Sequence, residues 1–185
     1  MKYVDGTIQE QIVEHAKKII SIKKTLLNLK YKIVHFPNPY LEDDWIFDKL
    51  MNQIKAQSLS KSLYTISDTS LKTNYLKDLY GKETFRINLA SNEYVDFSSE
   101  EVASYILDVL KTIKRITKRE LLEMKIPQQP HLKNLLNQYR KDKEQIVKNE
   151  ESVEELEKQI DDLVYKLYDI TYPERKVIEN YLKKF

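Results

Sequence analysis

The stretch that decides the fold is residues 131–170, HLKNLLNQYRKDKEQIVKNEESVEELEKQIDDLVYKLYDI. Apolar or aromatic residues recur there every seven positions, at Leu132, Tyr139, Ile146, Val153, Ile160 and Leu167. A second set fills the companion positions of the heptad, at Leu135, Leu156, Leu163 and Ile170. A heptad repeat of this length predicts a long helix that packs along another helix.

The companion positions of this repeat are polar at Asp142 and Asn149, which leaves two interpretations. The segment forms either one helix of about 38 residues, about 57 Å long at 1.5 Å per residue, or two helices that meet near residues 149–152. In the second case Ser152 and Glu155 would form a new capping box. We favour the single helix.

A second helix is predicted over residues 8–31. Its apolar residues share one face: Ile8, Ile12, Ala16, Ile19, Leu26 and Leu27. An isolated helix of either sequence would be marginal in water. We therefore expect the first helix to pack antiparallel against residues 146–167.

The intervening residues contain the clearest β signal. Alternating apolar residues over 84–97, interrupted by a short polar turn, predict a hairpin, and residues 62–66 predict a further strand. Helical spacing predicts helices over 43–57, 71–80 and 118–125, and one from Ser98 to near Thr117. Thr171 and Pro173 predict the start of a last helix.

These elements predict a mainly α (α+β) fold, with long antiparallel helices and a small inserted lobe that contains the β-hairpin. We divide the chain into an N-terminal helix (1–31), an inserted α/β lobe (32–130), a long helix (131–170) and a C-terminal helix (171–185). The whole forms a single module.

Composition excludes several classes of chemistry. The 185 residues include no cysteine, which rules out disulfides and Cys-based zinc sites. Two glycines are too few for a glycine-rich phosphate or cofactor loop, and His15, His35 and His131 lack ligand spacing. We therefore assign no catalytic, cofactor-binding or metal-binding residue. Short apolar runs predict a cytoplasmic protein with no membrane span.

The net charge of +2 gives no global attraction to nucleic acid, so any binding must come from a local patch. The candidate patch is a basic series with spacing 3, 1, 3, 1, formed by Lys111, Lys114, Arg115, Lys118 and Arg119. On a continuous helix these cations would form a face suited to DNA phosphates. The alternative is a solvated face that complements the helix dipole.

A second candidate surface lies at the end of the long helix. Apolar and aromatic residues surround more of this helix than a single packing face requires, and those concerned are Leu163, Val164, Tyr165, Leu167 and Tyr168. This width predicts that the helix end contacts more than one partner element, and one interpretation is an interface with a larger protein. The alternative is a helix end buried within the chain.

Three segments together resemble the C-terminal region of type IIG restriction–modification enzymes. Residues 8–24, IQEQIVEHAKKIISIKK, resemble the family helix IVELVERILELKKEL. Residues 159–171, QIDDLVYKLYDIT, resemble the family ending IDELVYELYGLT, and residues 173–179, PERKVIE, resemble EEIKIVE. The family's glycine before the final Leu-Thr is Asp169 in this chain.

Members of that family join an adenine-specific DNA methyltransferase, often an endonuclease, and a target-recognition region. The resemblance implies a non-catalytic DNA-recognition or spacer module, since the methyltransferase's cofactor and catalytic motifs are missing here. Its expected partners are DNA, the methyltransferase/endonuclease part and, as a homo-oligomer, other copies of the chain. The alternative function is a helical protein-interaction or dimerisation adaptor with no DNA role.

Overall fold

The computed structural model describes residues 6–67, 71–77 and 81–182. These residues form five α-helices: α1 (Gly6–Val34), α2 (Glu100–Lys111), α3 (Lys118–Glu123), α4 (His131–Leu167) and α5 (Tyr172–Leu182). The fold is mainly α (α+β), as predicted. Two compact units make up the chain: a helical unit of residues up to Lys30 and from Lys143 onward, and a mixed unit, Tyr31–Asp142.

In the helical unit, α1 packs antiparallel against α4. Ile19 and Leu26 are buried against Val153. Ion pairs join Lys23 to Glu157 at 2.8 Å and Lys30 to Glu150 at 2.6 Å. The residue numbers of the partners in α4 fall as the residue numbers in α1 rise, so the two helices run in opposite directions.

The heptad repeat of α4 produces one unbroken helix, as we favoured, with no break near residues 149–152. The predicted packing face of α1 needs one correction. Leu27 is 74 % exposed, whereas Ile22 and Leu29 join the packed side. The packed residues of α1 follow a 3–4 heptad spacing, and Leu27 lies one position beyond it.

Eight strands lie in the mixed unit. They are β1 (Phe47–Lys49), β2 (Ile54–Ser58), β3 (Leu63–Thr65), β4 (Lys72–Lys77), β5 (Glu83–Ala90), β6 (Glu93–Phe97), β7 (Arg115–Thr117) and β8 (Lys125–Pro127). The described strands form an antiparallel sheet of order β2-β6-β5-β4 and two ribbons, β1-β8 and β3-β7. The hairpin predicted over 84–97 is β5-β6, and the strand predicted over 62–66 is β3.

Two predicted helices of this unit are wrong. Residues 43–57 form β1, a 3-10 turn and β2 instead of a helix. The segment predicted as a helix over 71–80 contains β4, which pairs with β5, and its residues 78–80 lie outside the described part. In both places pairing with another strand satisfies the backbone groups, so local helical spacing does not decide the structure.

The core of the mixed unit forms where α2 covers the main sheet. Tyr105, Ile106 and Leu110 of α2 are almost completely buried, as are Ile87 and Phe97 of the sheet. Ser99 caps α2, since its side chain accepts a hydrogen bond from the Val102 amide. Further buried residues come from the start of α4 and the loop after α1, including Leu132, Leu136 and Phe36.

Candidate nucleic-acid interface

The five cations of the basic series do not share one helical face, which corrects the geometric premise of the prediction. The helix α2 ends at Lys111, where Thr112 forms the C-cap and its hydroxyl donates to the Val109 carbonyl at 2.8 Å. Lys114 follows in the connection, and Arg115 lies in β7. Lys118 and Arg119 then begin α3.

The helix α2 ends before the predicted Thr117 because Ile116 belongs to strand β7. In β7 it pairs with Tyr64 of β3, and both side chains are buried. Strand alternation turns Arg115 to the opposite, exposed face of the ribbon, where Thr65 is its cross-strand neighbour. The predicted short helix after residue 117 is present as α3, capped by a reciprocal Thr117–Glu120 box.

Three of the five cations already have partners. Lys111 lies 3.8 Å from the Asp108 carboxylate, and Arg119 lies 3.2 Å from Glu123. The Lys118 ammonium donates to the Leu59 carbonyl at 2.7 Å. Lys114 and Arg115 are exposed and form no ion pair with any described residue, so these two are available for a phosphate.

A cleft of about 690 Å³ opens beside this ribbon. Lys118 and Arg119 line it together with Ser62 and Thr117, while Met51 and Leu122 provide apolar surface. Sequence reasoning did not identify Met51 or Ser62, because the β1-β8 and β3-β7 pairings bring them here from distant positions. No local pattern in the sequence signals this cleft.

A buried carboxylate anchors the ribbon to the main sheet. Glu93 of β6 accepts hydrogen bonds from the Ser60 amide at 2.8 Å, from the Tyr64 hydroxyl at 2.9 Å and from the Ser60 hydroxyl. The Ser60 hydroxyl and amide lower the pKa of Glu93. Burial, with the bond to Glu93, raises the pKa of Tyr64 to about 12, so Tyr64 remains a donor at neutral pH.

Glu93→Gln is expected to remove the acid-dependent part of this anchoring. The lowered pKa of Glu93 stabilises the fold above the unfolded pKa of about 4.3 and ceases to do so as pH falls through the folded value. The free-energy gap between wild type and Glu93→Gln should therefore be largest at neutral pH and narrow below about pH 4. Denaturant unfolding at both pH values measures it, with exposed Glu151→Gln as control; a gap independent of pH contradicts the prediction.

The predicted partner interface is partly used within the helical unit. Leu163, Val164, Tyr165 and Leu167 are half-buried, and the Arg175 guanidinium lies 4.7 Å from the centre of the Tyr165 ring. Of the five predicted residues only Tyr168 is highly exposed, at 71 %. The exposed apolar surface continues onto α5, which sequence reasoning did not assign to an interface: Tyr172, Val177, Tyr181 and Leu182.

The helix α5 is held through a polar contact. Arg175 pairs with Asp162 of α4 at 2.5 Å and with Glu179 at 2.7 Å. The apolar residues of α5 therefore face outward, and the recurrence of Val177 and Tyr181 four residues apart is the signal that could have predicted this surface.

No protein-family model, curated protein or solved structure matches the chain. Within residues 6–67, 71–77 and 81–182, no three acidic or histidine side chains converge as a metal site would require. No helix in the same residues is both long enough and apolar enough to cross a bilayer.

Proposed function

We propose that the chain is a non-catalytic DNA-recognition and spacer module of a restriction–modification system. The observation that carries the proposal is the basic ribbon edge on a compact α/β unit, where Lys114 and Arg115 are exposed and pair with none of the acidic side chains that the structure describes. Guanidinium and ammonium groups in this state are suited to DNA phosphates. Two-stranded ribbons also fit the width of the major groove.

The conformation of Asp169 supports the resemblance on which the proposal depends. Asp169 has a φ of 52°, in the left-handed region, and is the second residue after the end of α4. The Ile170 amide donates back to the Tyr165 carbonyl at 2.9 Å, as in a helix C-terminal turn. Glycine is the residue best suited to this position, and it is the residue that the type IIG ending has there.

The antiparallel pair of α1 and α4 supports the spacer role. Its ion pairs and buried Ile19–Leu26–Val153 cluster hold two helices side by side as one element. In the proposed arrangement the exposed surface of Tyr168, Tyr172, Val177 and Tyr181 contacts the methyltransferase/endonuclease part. Exposed aromatic residues are typical anchors of such interfaces.

Reversal of the two free cations, Lys114→Glu with Arg115→Glu, is expected to weaken DNA binding at least about tenfold, because two phosphate contacts become repulsive. The slope of log affinity against log salt should fall by about two. Fluorescence anisotropy of the full chain with labelled duplex, between about 50 mM and about 200 mM salt, measures both quantities. Lys118 is left unchanged because its ammonium has a structural bond to Leu59.

The matched control is Lys49→Glu with Lys125→Glu. These exposed lysines face each other across the β1-β8 ribbon, so the control reverses two cations on another ribbon of the same unit. It should bind DNA more tightly than the Lys114/Arg115 variant. Equal affinity of both variants, or no salt-dependent binding by wild type, overturns the DNA role.

The alternative function, a helical interaction or dimerisation adaptor without a DNA role, is favoured by the outward apolar residues of α5. Val177 and Tyr181 are 70 % and 62 % exposed. If the chain is an adaptor, it binds no DNA even at low salt, and the α5 surface is its binding site for a protein partner. The same titration therefore separates the two functions.

A further inference from the structure

An apolar line runs along the outer side of α1, away from its packing face. Val13, Ile20 and Leu27 are 51 %, 56 % and 74 % exposed. They are spaced seven residues apart, so they form one line along the helix. A helix that packs on a single partner carries polar residues at such positions. This line is therefore an exposed apolar surface that packing on α4 does not explain.

Charges of opposite sign accompany this surface on the two helices. Lys17 and Lys24 are exposed beside the apolar line of α1. The corresponding line of α4 carries Glu154 and Asp161, both exposed.

The apolar line of α1 and the acidic line of α4 lie on the same side of the helix pair. Ile20 and Leu27 each precede by three residues a lysine, Lys23 or Lys30, that pairs with α4. Glu154 likewise precedes by three residues Glu157, the partner of Lys23. Residues three apart are neighbours on a helix, so the apolar line and the carboxylates lie on one side of the pair.

We propose that this face binds the same face of a second copy of the chain, about a two-fold axis parallel to the helices. Such an axis places α1 of one copy over α4 of the other. It also leaves the position of each residue along the helix axis unchanged. The ion pairs place residue 23 level with 157 and residue 30 level with 150. By the same offset Lys17 and Lys24 lie within two residues of the partner copy's carboxylates at positions 161 and 154.

Electrostatics distinguishes this arrangement from the other two-fold packing of the same faces. An axis perpendicular to the helices would stack α1 on α1, which brings Lys17 towards Lys24 and carboxylates towards carboxylates. Like charges opposed across an interface disfavour that packing. The parallel axis opposes Lys17 and Lys24 to Asp161 and Glu154, of which Glu154 also pairs with the exposed Lys158 of its own helix at 3.1 Å.

The face is also large enough for a dimer. Twenty-five helical residues at 1.5 Å rise, across two helices each about 10 Å wide, give roughly 750 Å² per copy. A stable interface buries about 800 Å² per partner.

Two charge-reversal variants test the proposal on the full chain. Variant A is Lys17→Glu with Lys24→Glu, and variant B is Glu154→Lys with Asp161→Lys. Sedimentation equilibrium should show that each alone dimerises at least about tenfold more weakly than wild type. An equimolar mixture of A and B should recover wild-type affinity, because both α1–α4 contacts then oppose unlike charges. Thermal melts should show all these chains folded.

The control is Lys18→Glu with Lys148→Glu, which has the same charge change as variant A at exposed positions outside this face. It should dimerise as wild type does. A wild-type chain that stays monomeric at high micromolar concentration overturns the proposal, as does a mixture of A and B that remains monomeric.

Disulfide trapping tests the arrangement, since the chain has no cysteine of its own. Under oxidation, a mixture of Lys24→Cys and Glu154→Cys should give a disulfide-linked dimer that neither variant gives alone. Efficient trapping of Ile20→Cys with itself, without the mixed product, would indicate α1 on α1 and overturn the parallel axis.

Discussion

Arg86→Met is expected to lower the free energy of unfolding by about 3–5 kcal/mol, because it leaves a buried carboxylate without its partner. Arg86 of β5 lies directly opposite Asp96 of β6 in the central hairpin. Its Nε donates to Asp96 Oδ1 at 2.7 Å and its Nη2 to Oδ2 at 2.9 Å. The guanidinium also lies 3.6 Å from the centre of the Tyr94 ring.

Asp96 is only 5 % exposed, so water cannot replace the lost bonds. Denaturant unfolding of Arg86→Met measures the loss. The double variant Arg86→Met with Asp96→Leu should recover much of it, since replacing both partners of a buried pair by apolar residues is often neutral. If the double variant is as unstable as the single one, the loss comes from the lost packing of Arg86 on Tyr94.

Apart from β3, which pairs with the distant β7, the elements that sequence reasoning predicted correctly have residues that need only neighbours along the chain or a second long helix. The heptads of α4 and the apolar arc of α2 each repeat over several turns, and the β5-β6 hairpin has a two-residue turn at Ser91 and Asn92. Asn92 has a φ of 60°, which asparagine adopts more readily than most residues. Local signals of this kind are sufficient because the partner lies nearby in sequence or is another long helix.

The elements that it missed depend on pairing between strands. Phe47 of β1 pairs with Pro127 of β8, and β7, which pairs with the correctly predicted β3, lies where the sequence predicted the end of a helix. Strands β1, β7 and β8 have three residues each, too few to show a period. The helical spacing of Trp45, Ile46 and Leu50 therefore suggested a helix, whereas Leu50 is completely buried and Ile46 is 66 % exposed.

The same limit applies to the candidate site. The residues of the basic series are all present on the mixed unit, but the sequence could not show that α2 stops at Lys111. The stop depends on the pairing of Ile116 with Tyr64 and on the bond from Tyr64 to Glu93. Ile116 and Tyr64 lie 52 residues apart along the chain, and Tyr64 and Glu93 lie 29 residues apart. Which cations are free was therefore visible only after folding.

Asp142 shows how a polar residue in the heptad fits a continuous helix. It is 6 % exposed, and it accepts hydrogen bonds from the Tyr40 hydroxyl at 2.9 Å and from Gln138 Nε2 at 2.7 Å. Burial and the bond to Asp142 both raise the pKa of Tyr40, so its hydroxyl stays a donor. Asp142 is therefore the point at which the segment after α1 is bonded to α4, within the mixed unit.

Tyr40→Phe should accordingly destabilise the chain by about 2 kcal/mol, the usual loss for a hydrogen bond to a charged group. The ring is retained, so its edge contact with Tyr139 at 5.8 Å persists and the hydroxyl alone is tested. Tyr75→Phe is the matched control, because it removes a hydroxyl bonded to Glu83 in an exposed pair and should leave the melting temperature unchanged. Adding Asp142→Leu to Tyr40→Phe should restore stability, since leucine suits a heptad position and the remaining donor, Gln138 Nε2, belongs to an exposed side chain that water can reach. If Tyr40→Phe melts with wild type, Asp142 is held by Gln138 and water, and the attachment of the 31–40 segment depends on ring packing instead.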